Sequence, residues 1–268
     1  MSGVSSPVAV PAAVRPTHLV QVPVTTVWSA PDSPRPVDEP IVRDVPDARE
    51  WLAALDANAG DDESGNGRLG LHGRVETQLL EDEPVTVVAT DRSGSWAQVV
   101  APWQLSPKDE RGYPGWVPVA HLAPVAPEDA VPAPCARLVP EPVDEDATHP
   151  AVVEARRHTG LPYLWCGITP LGFDCSGLVL HAWRLLGLVV ARDAYAQAEF
   201  ATPVDLGAEQ AGDLYFFARP GRRIHHVGIV VRPGRMVHAS ETGGVLVEED
   251  LSAERVATLV AAGRLPMP

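Results

Sequence analysis

Proline punctuates the first half of this chain, and no other feature limits its fold as much. There are 28 prolines in 268 residues, about twice the usual share of roughly 5%, and they concentrate before residue 150. A prolyl ring removes a backbone donor and fixes φ near about −65°, so long helices and central strands are disfavoured there. Loops and short strands are expected instead. Residues 1–16 hold little but Ser, Ala, Val and Pro and predict a flexible tail. Leu19 to Trp28 alternates as a strand does, and Asp32 to Pro40 is rich in turn formers. Ala48, Trp51, Leu52 and Leu55 then recur at helical spacing behind Asp47, which predicts a short helix ending near Ala57. After a polar loop at Asp61 to Gly67 come short apolar runs at Gln78–Leu80, Pro84–Thr90, Trp96–Ala101 and Gly115–Val119. Gly, Pro and Asp turns separate them, as in a small all-β barrel or sandwich.

From residue 148 onward the texture changes. Residues 125–147, rich in Ala, Pro, Glu and Asp, predict a linker. Beyond it, Val152–His158 reads as a helix. Ser176–Leu186 reads as a second, with Leu178, Val179, Ala182, Trp183 and Leu186 on one face and Gly187 as its stop. Strand-like runs follow at Asp213–Phe217, His226–Val231 and Arg235–Ala239. Helices first and an antiparallel sheet afterwards make an α+β arrangement. The expected division is a tail over 1–16, an all-β domain with a helical insertion over 17–124, a linker over 125–147 and an α+β domain over 148–268.

Composition removes several function classes. Lys and Arg number 21 against 35 Asp and Glu, a net charge of −14 with no basic cluster, so the footprint needed to bind nucleic acid is missing. No run approaches the roughly 20 apolar residues that span a bilayer, so no membrane partner is expected. The first basic residue is Arg15, and Pro7 and Pro11 interrupt the apolar Val8–Val14 stretch, so no export signal is read and a cytoplasmic location is expected. Three cysteines, Cys135, Cys166 and Cys175, form no CxxC pair and no disulfide framework.

Cys175 carries the chemistry. It lies in Phe173-Asp174-Cys175-Ser176-Gly177-Leu178, directly before the second predicted helix. A helix N-terminus stabilises a thiolate and can lower a thiol pKa from roughly 8.5 toward 3.5–7.5. Its partner is expected to be a histidine within hydrogen-bond reach. His225 and His226 open one strand, and His238 lies in the next, across the turn-prone Arg232-Pro233-Gly234. An odd number of loop residues would set His226 and His238 on one face, and an even number would set them on opposite faces. The spacing leaves that number open. His18, His72, His121, His149, His158 and His181 lie in no motif. The set Cys166, Cys175, His226 and His238 matches no zinc spacing, so neither a metal nor a cofactor is expected.

The runs PYLWCG, DCSGLV, AGDLYFF, HHVGIVV and MVHAS, over about residues 148–262, resemble the NlpC-type papain-like cysteine peptidases that cut bacterial cell-wall peptides. The resemblance implies Cys175 as nucleophile, His226 rather than His225 as general base, and His238 as the residue orienting that imidazole, a triad logic. It also implies Tyr163 beside the amides at the helix start as support for the oxyanion. Cys166 stands where the family usually has Gly. The stretch Thr77–Leu122, with EPVTVVATDRSGSWAQV and GYPGWVPVAHL, resembles a bacterial SH3-like domain.

Family members with such an N-terminal domain and no export signal resemble the cytoplasmic γ-D-glutamyl-L-diamino-acid endopeptidases of murein recycling. That resemblance implies hydrolysis of L-Ala-γ-D-Glu-diamino acid peptides with a free N-terminal L-Ala, whose ammonium needs carboxylates and a blocking wall. The matching positions are Asp174, Tyr113 and Glu83, with Glu81 adjacent to the last as an alternative, and Ser176 is matched to the D-Glu carboxylate. Arg192-Asp193 matches a family pair, but Ala194 stands where a hydroxyl residue is common. Two other readings remain open: an exported hydrolase that holds wall polymer with its SH3-like domain, and a non-catalytic binder of wall fragments.

Overall fold

The computed structural model describes residues 15–59, 65–126 and 149–267. Cys135, nearly all of the predicted tail and nearly all of the predicted linker lie outside the described residues.

The predicted first strand splits at the prolyl residue Pro23 into β1 (His18–Val20) and β2 (Val24–Trp28). Two short helices follow, α1 (Glu39–Val42) and α2 (Ala48–Ala57). Asp47 caps α2 by accepting from the amides of Arg49 and Glu50 at 3.0 and 2.9 Å, and the apolar spacing seen in the sequence buries Trp51 and Leu55. The remaining strands are β3 (Val75–Leu80), β4 (Pro84–Thr90), β5 (Trp96–Ala101), β6 (Tyr113–Pro118) and β7 (Leu122–Pro124). They form one seven-stranded sheet in the order β3-β2-β6-β5-β4-β1-β7, with antiparallel pairing throughout. Its edge strands β3 and β7 are not paired to each other, so the half predicted as a barrel is a sheet with two ends among the described residues.

The second half opens with α3 (Pro150–Arg156), a small ladder of β8 (Ile168–Thr169) and β9 (Gly172–Phe173), and then α4 (Cys175–Leu185). After α5 (Ala194–Phe200) come β10 (Thr202–Val204), β11 (Leu214–Phe217), β12 (His226–Arg232), β13 (Arg235–Ser240), β14 (Val245–Asp250), α6 (Ala253–Thr258) and β15 (Leu259–Arg264). Six of these strands form an antiparallel sheet in the order β10-β15-β11-β12-β13-β14. The apolar face of α4 packs on Val227 and Ile229 of β12 and Val237 and Ala239 of β13 in one buried cluster. This is the expected α+β layering. Among the described residues no helix is long and apolar enough to cross a membrane.

The halves share a core. Val24, Trp28, Trp51, Leu55 and Leu71 from the first pack in one buried cluster with Leu164 and Cys166 from the second. Polar ties flank it. The Arg192 guanidinium donates to Thr77 Oγ1 at 2.7 Å, the Trp165 indole donates to the Val75 carbonyl at 3.2 Å, and Leu105 bridges to Ala191.

Candidate active site

Cys175 opens α4, as its sequence predicts, and is 7% exposed. Asp174 builds the helix start: its Oδ1 accepts from the Gly177 amide at 2.6 Å, and its carboxylate takes two bonds from the buried Arg192 guanidinium at 2.7 and 3.1 Å. The Cys175 thiol faces the β12 entry and donates to the His225 carbonyl at 3.9 Å.

His226 is the first residue of β12, and His238 lies inside β13. Ile229 pairs with Val237 but Arg232 pairs with Arg235, so a bulge at Val231 shifts the register by one residue. That shift answers the question the turn left open: Gly228 comes opposite His238, and His226 becomes its diagonal neighbour on the same face. Gly228 leaves the space between them empty, since a Cβ there would stand 3.3 Å from His238 Cβ and press on Met236. His226 Nε2 lies 2.8 Å from His238 Nδ1, with the two rings nearly perpendicular at 80°. His238 Nε2 lies in turn 3.0 Å from Glu249 Oε1 on β14.

The direction of this relay follows from its end. A carboxylate only accepts, so His238 Nε2 carries a proton and gives it to Glu249, which leaves His238 Nδ1 as an acceptor. His226 Nε2 therefore donates to His238, and His226 Nδ1 keeps its lone pair. Burial holds both imidazoles neutral, pushing His226 well below its ordinary value and His238 down to about 4. Glu249 was not found from sequence, because it sits in an acidic run, Glu248-Glu249-Asp250, that reads as a solvated strand end.

The thiol departs from the sequence expectation. Burial, with Asp174 adding to it, pushes Cys175 up to about 12, although amides of Val227 and Ser176 pull the other way. Desolvation outweighs the helix N-terminus, so the resting site holds a thiol beside a neutral imidazole.

In front of Cys175 lies a cleft of about 380 Å³ between the two halves. Tyr163 lines it, with a partly buried ring whose hydroxyl is held protonated by burial and by the nearby Asp174 carboxylate. Ser176 lines it too, its Oγ accepting from Arg192 at 3.0 Å and donating to Asp174 at 3.3 Å. Across the cleft, Tyr113 of β6 is 2% exposed and places its hydroxyl 3.1 Å from Asp193 and 3.2 Å from Glu76.

Glu83 does not reach this cleft, which corrects the sequence assignment. It is fully buried below the interface, where two bonds of 3.0 Å tie it to Arg184 of α4 and the Gln104 amide and the Leu80 N–H also donate to it. Glu81 is no substitute, since it lies in the same turn beyond the end of β3. The acid of β3 that lines the cleft is Glu76, beside Asp174 and Asp193 from the second half. The period of two along β3 held the signal, because Gln78, on the same face as Glu76, reaches the second half by accepting from the Ile168 amide at 3.3 Å. Asp174 reaches the cleft wall, but Arg192, the Gly177 amide and the Ser176 hydroxyl already occupy its oxygens.

Cys166 stands at φ +63°, in the left-handed region that favours glycine, and its thiol donates to the Val75 carbonyl at 2.9 Å. Among the described residues, Cys166, Cys175, His226 and His238 do not converge as ligands. Glu154, His158 and His181 do converge: both imidazole Nε2 atoms lie within 2.8 and 3.3 Å of Glu154 Oε1. Arg157 also donates to that carboxylate at 3.1 Å, and Arg184 acts on His181, so positive charge already faces it. The cluster is a hydrogen-bonded clasp between α3 and α4.

Comparison with known proteins gives the family. The NlpC/P60 family profile matches residues 160–261. The chain is 32% identical to the gamma-D-glutamyl-L-lysine dipeptidyl-peptidase of Bacillus subtilis (strain 168), over 84% of this chain and 90% of that one. It is 28% identical to the protein of the same name from Bacillus cereus, over 82% of each chain. The crystal structure of an NlpC/P60 family protein from Bacillus cereus superposes with a TM-score of 0.75 at 25% identity, covering 94% of this chain and all of that one.

Proposed function

We propose, because this chain belongs to the NlpC/P60 family, that its cleft hydrolyses the γ-D-glutamyl–diamino acid bond of murein peptides as a cysteine peptidase. One observation carries the reading: the Cys175 thiol lies against the entry of β12, where the His226–His238–Glu249 relay begins, and it lines a cleft whose far wall holds acidic and phenolic groups from the other half of the chain. In this reading the Cys175 sulfur attacks the γ-carbonyl of D-Glu while His226 Nδ1 takes the thiol proton, and His238 and Glu249 stabilise the resulting imidazolium. The N–H groups at the α4 start that Asp174 does not take up, and the Tyr163 hydroxyl, serve the developing oxyanion. His226 then returns the proton to the departing amine, leaving a thioester that water hydrolyses. No cofactor enters these steps.

Distance along the cleft sets what precedes the scissile bond. Ser176, whose hydroxyl the buried Arg192 orients, suits the D-Glu carboxylate, and Glu76 with Tyr113 suits an ammonium at the far wall, which favours free peptides that begin with L-Ala. Such peptides arise after wall breakdown, and on that ground we place the work in the cytoplasm; cell fractionation with an antibody to the full chain tests this.

The deciding experiment is mass-spectrometric cleavage of L-Ala-γ-D-Glu-L-Lys and its diaminopimelate analogue, each with a free and an acetylated amino end, with Cys175→Ala as control. Cleavage of the free peptides alone supports the whole reading. Equal cleavage of acetylated peptides keeps the peptidase and removes the ammonium wall, and favours an exported wall hydrolase. Binding without cleavage leaves a fragment binder.

A further inference from the structure

The far wall of the cleft is not empty of cations. Lys108, in the turn between β5 and β6, extends its Nζ into it, ion-paired with the Glu76 carboxylate and donating to the Tyr113 hydroxyl at 2.8 Å. The same ammonium stands 4.6 Å from the centre of the Tyr113 ring, and Asp193 is the next acid along, 3.1 Å from that hydroxyl. A carboxylate, a phenolic oxygen and an aromatic face around one NH3 group make a complete ammonium site, and the chain itself fills it.

The turn that carries Lys108 is held at both ends, so only the side chain is free to leave. Leu105 exchanges backbone bonds with Val190 and Arg192 at 3.2 and 3.0 Å. Ser106 Oγ accepts from the Lys108 amide at 3.1 Å, and the Asp109 carbonyl accepts from the Gly112 amide at 3.1 Å. The Lys108 side chain is 41% exposed and its partner Glu76 27%. An ion pair this open to water is weak, and a lysine head on a four-carbon stem moves between wall and solvent without displacing the backbone.

We propose that Lys108 is a tethered competitor for the substrate ammonium: its Nζ occupies the Glu76–Tyr113 site in the resting protein and must swing out before a peptide with a free amino end seats there. The inference rests on the substrate reading above and assigns Lys108 a role in specificity, since it makes the wall repel any cation too weakly placed to displace it. Competition of this kind lowers apparent affinity by the fraction of molecules whose site is filled.

The test is steady-state kinetics of the full chain and its Lys108→Met, Lys108→Arg and Arg111→Met variants on free and acetylated L-Ala-γ-D-Glu-L-Lys, beside calorimetric titration of each with L-alaninamide as the ammonium probe. Lys108→Met is expected to raise kcat/KM for the free peptide about two- to fivefold, the range an exposed ion pair gives, and to tighten L-alaninamide by a similar factor. Lys108→Arg, which keeps a cation, stays at or below the wild-type value. Arg111→Met removes an equal charge held outside the cleft and changes neither. A Lys108→Met value equal to or below wild type, or an equal gain from Arg111→Met, overturns the proposal. If the wild type cuts neither peptide, the substrate reading falls, and the L-alaninamide titration still decides what Lys108 does.

Discussion

His238 is held on both ring nitrogens, and that makes Glu249 the residue through which the base is set. Removing the carboxylate leaves the His238 tautomer unfixed and a buried N–H without its acceptor. Glu249→Ala is therefore expected to lower kcat about tenfold, the worth of one charge-assisted hydrogen bond, with KM little changed. Glu249→Gln, which keeps an acceptor, recovers most of the loss; kinetics that leave Glu249→Ala at wild-type kcat would remove Glu249 from the relay. Both buried imidazoles also tie stability to pH. In the unfolded chain His titrates near about 6.5, while in the folded chain His238 titrates at about 4 and His226 well below its ordinary value. The unfolded state thus binds more protons as pH falls below 6.5, so stability is flat above that value and declines toward pH 4. The His238 part amounts to roughly 3 kcal/mol at full protonation of the unfolded chain. Thermal melts from pH 7.5 to 4 check it, and His238→Gln should flatten the decline. Because Cys175 rests as a thiol, alkylation by iodoacetamide at pH 7 should be slow and accelerate only well into the alkaline range, as peptide mapping would read.

At the level of elements, the β12–β13 hairpin and the α4 start do most to assemble the site. Both were legible in large part. Cys175 before a helix and His226 and His238 in paired strands are local patterns, and local patterns survive into three dimensions because the backbone period fixes where side chains point. The parity of the hairpin was not legible, since the bulge at Val231 is set by packing of the whole sheet. For the same reason Glu249 escaped notice, as β14 meets β13 only through register. Glu76, Glu83 and Lys108 depended on how two distant stretches dock, which no periodicity within one stretch records. The hairpin also predicts its own weak point. Gly228→Ala should cost more in kcat than in melting temperature, because the added methyl presses on His238 while the flexible Met236 side chain yields. Paired kinetics and melts decide this, and a variant of full activity would show that the two rings do not need the gap.

Taken as one body, the molecule separates two acids that lie close in sequence. Glu83→Ala removes a buried carboxylate and leaves the half-buried Arg184 guanidinium, the Gln104 amide and the Leu80 N–H without their acceptor, which is expected to lower stability by roughly 3 kcal/mol, whereas Glu76→Gln sits at an open wall and should leave the melt near wild type while raising KM for free peptides at least about tenfold. Parallel melts and kinetics test the pair, and a reversed pattern would return Glu83 to the cleft. The shared cluster of Trp28, Trp51, Leu55, Leu164 and Cys166, with the Arg184–Glu83 and Arg192–Thr77 bonds around it, ties the two halves together directly. Cutting the backbone at an engineered protease site within residues 127–148 should therefore yield two fragments that elute together and still turn over substrate. The peptide connection would then act only as a concentrator, keeping each fragment at high local concentration around the other.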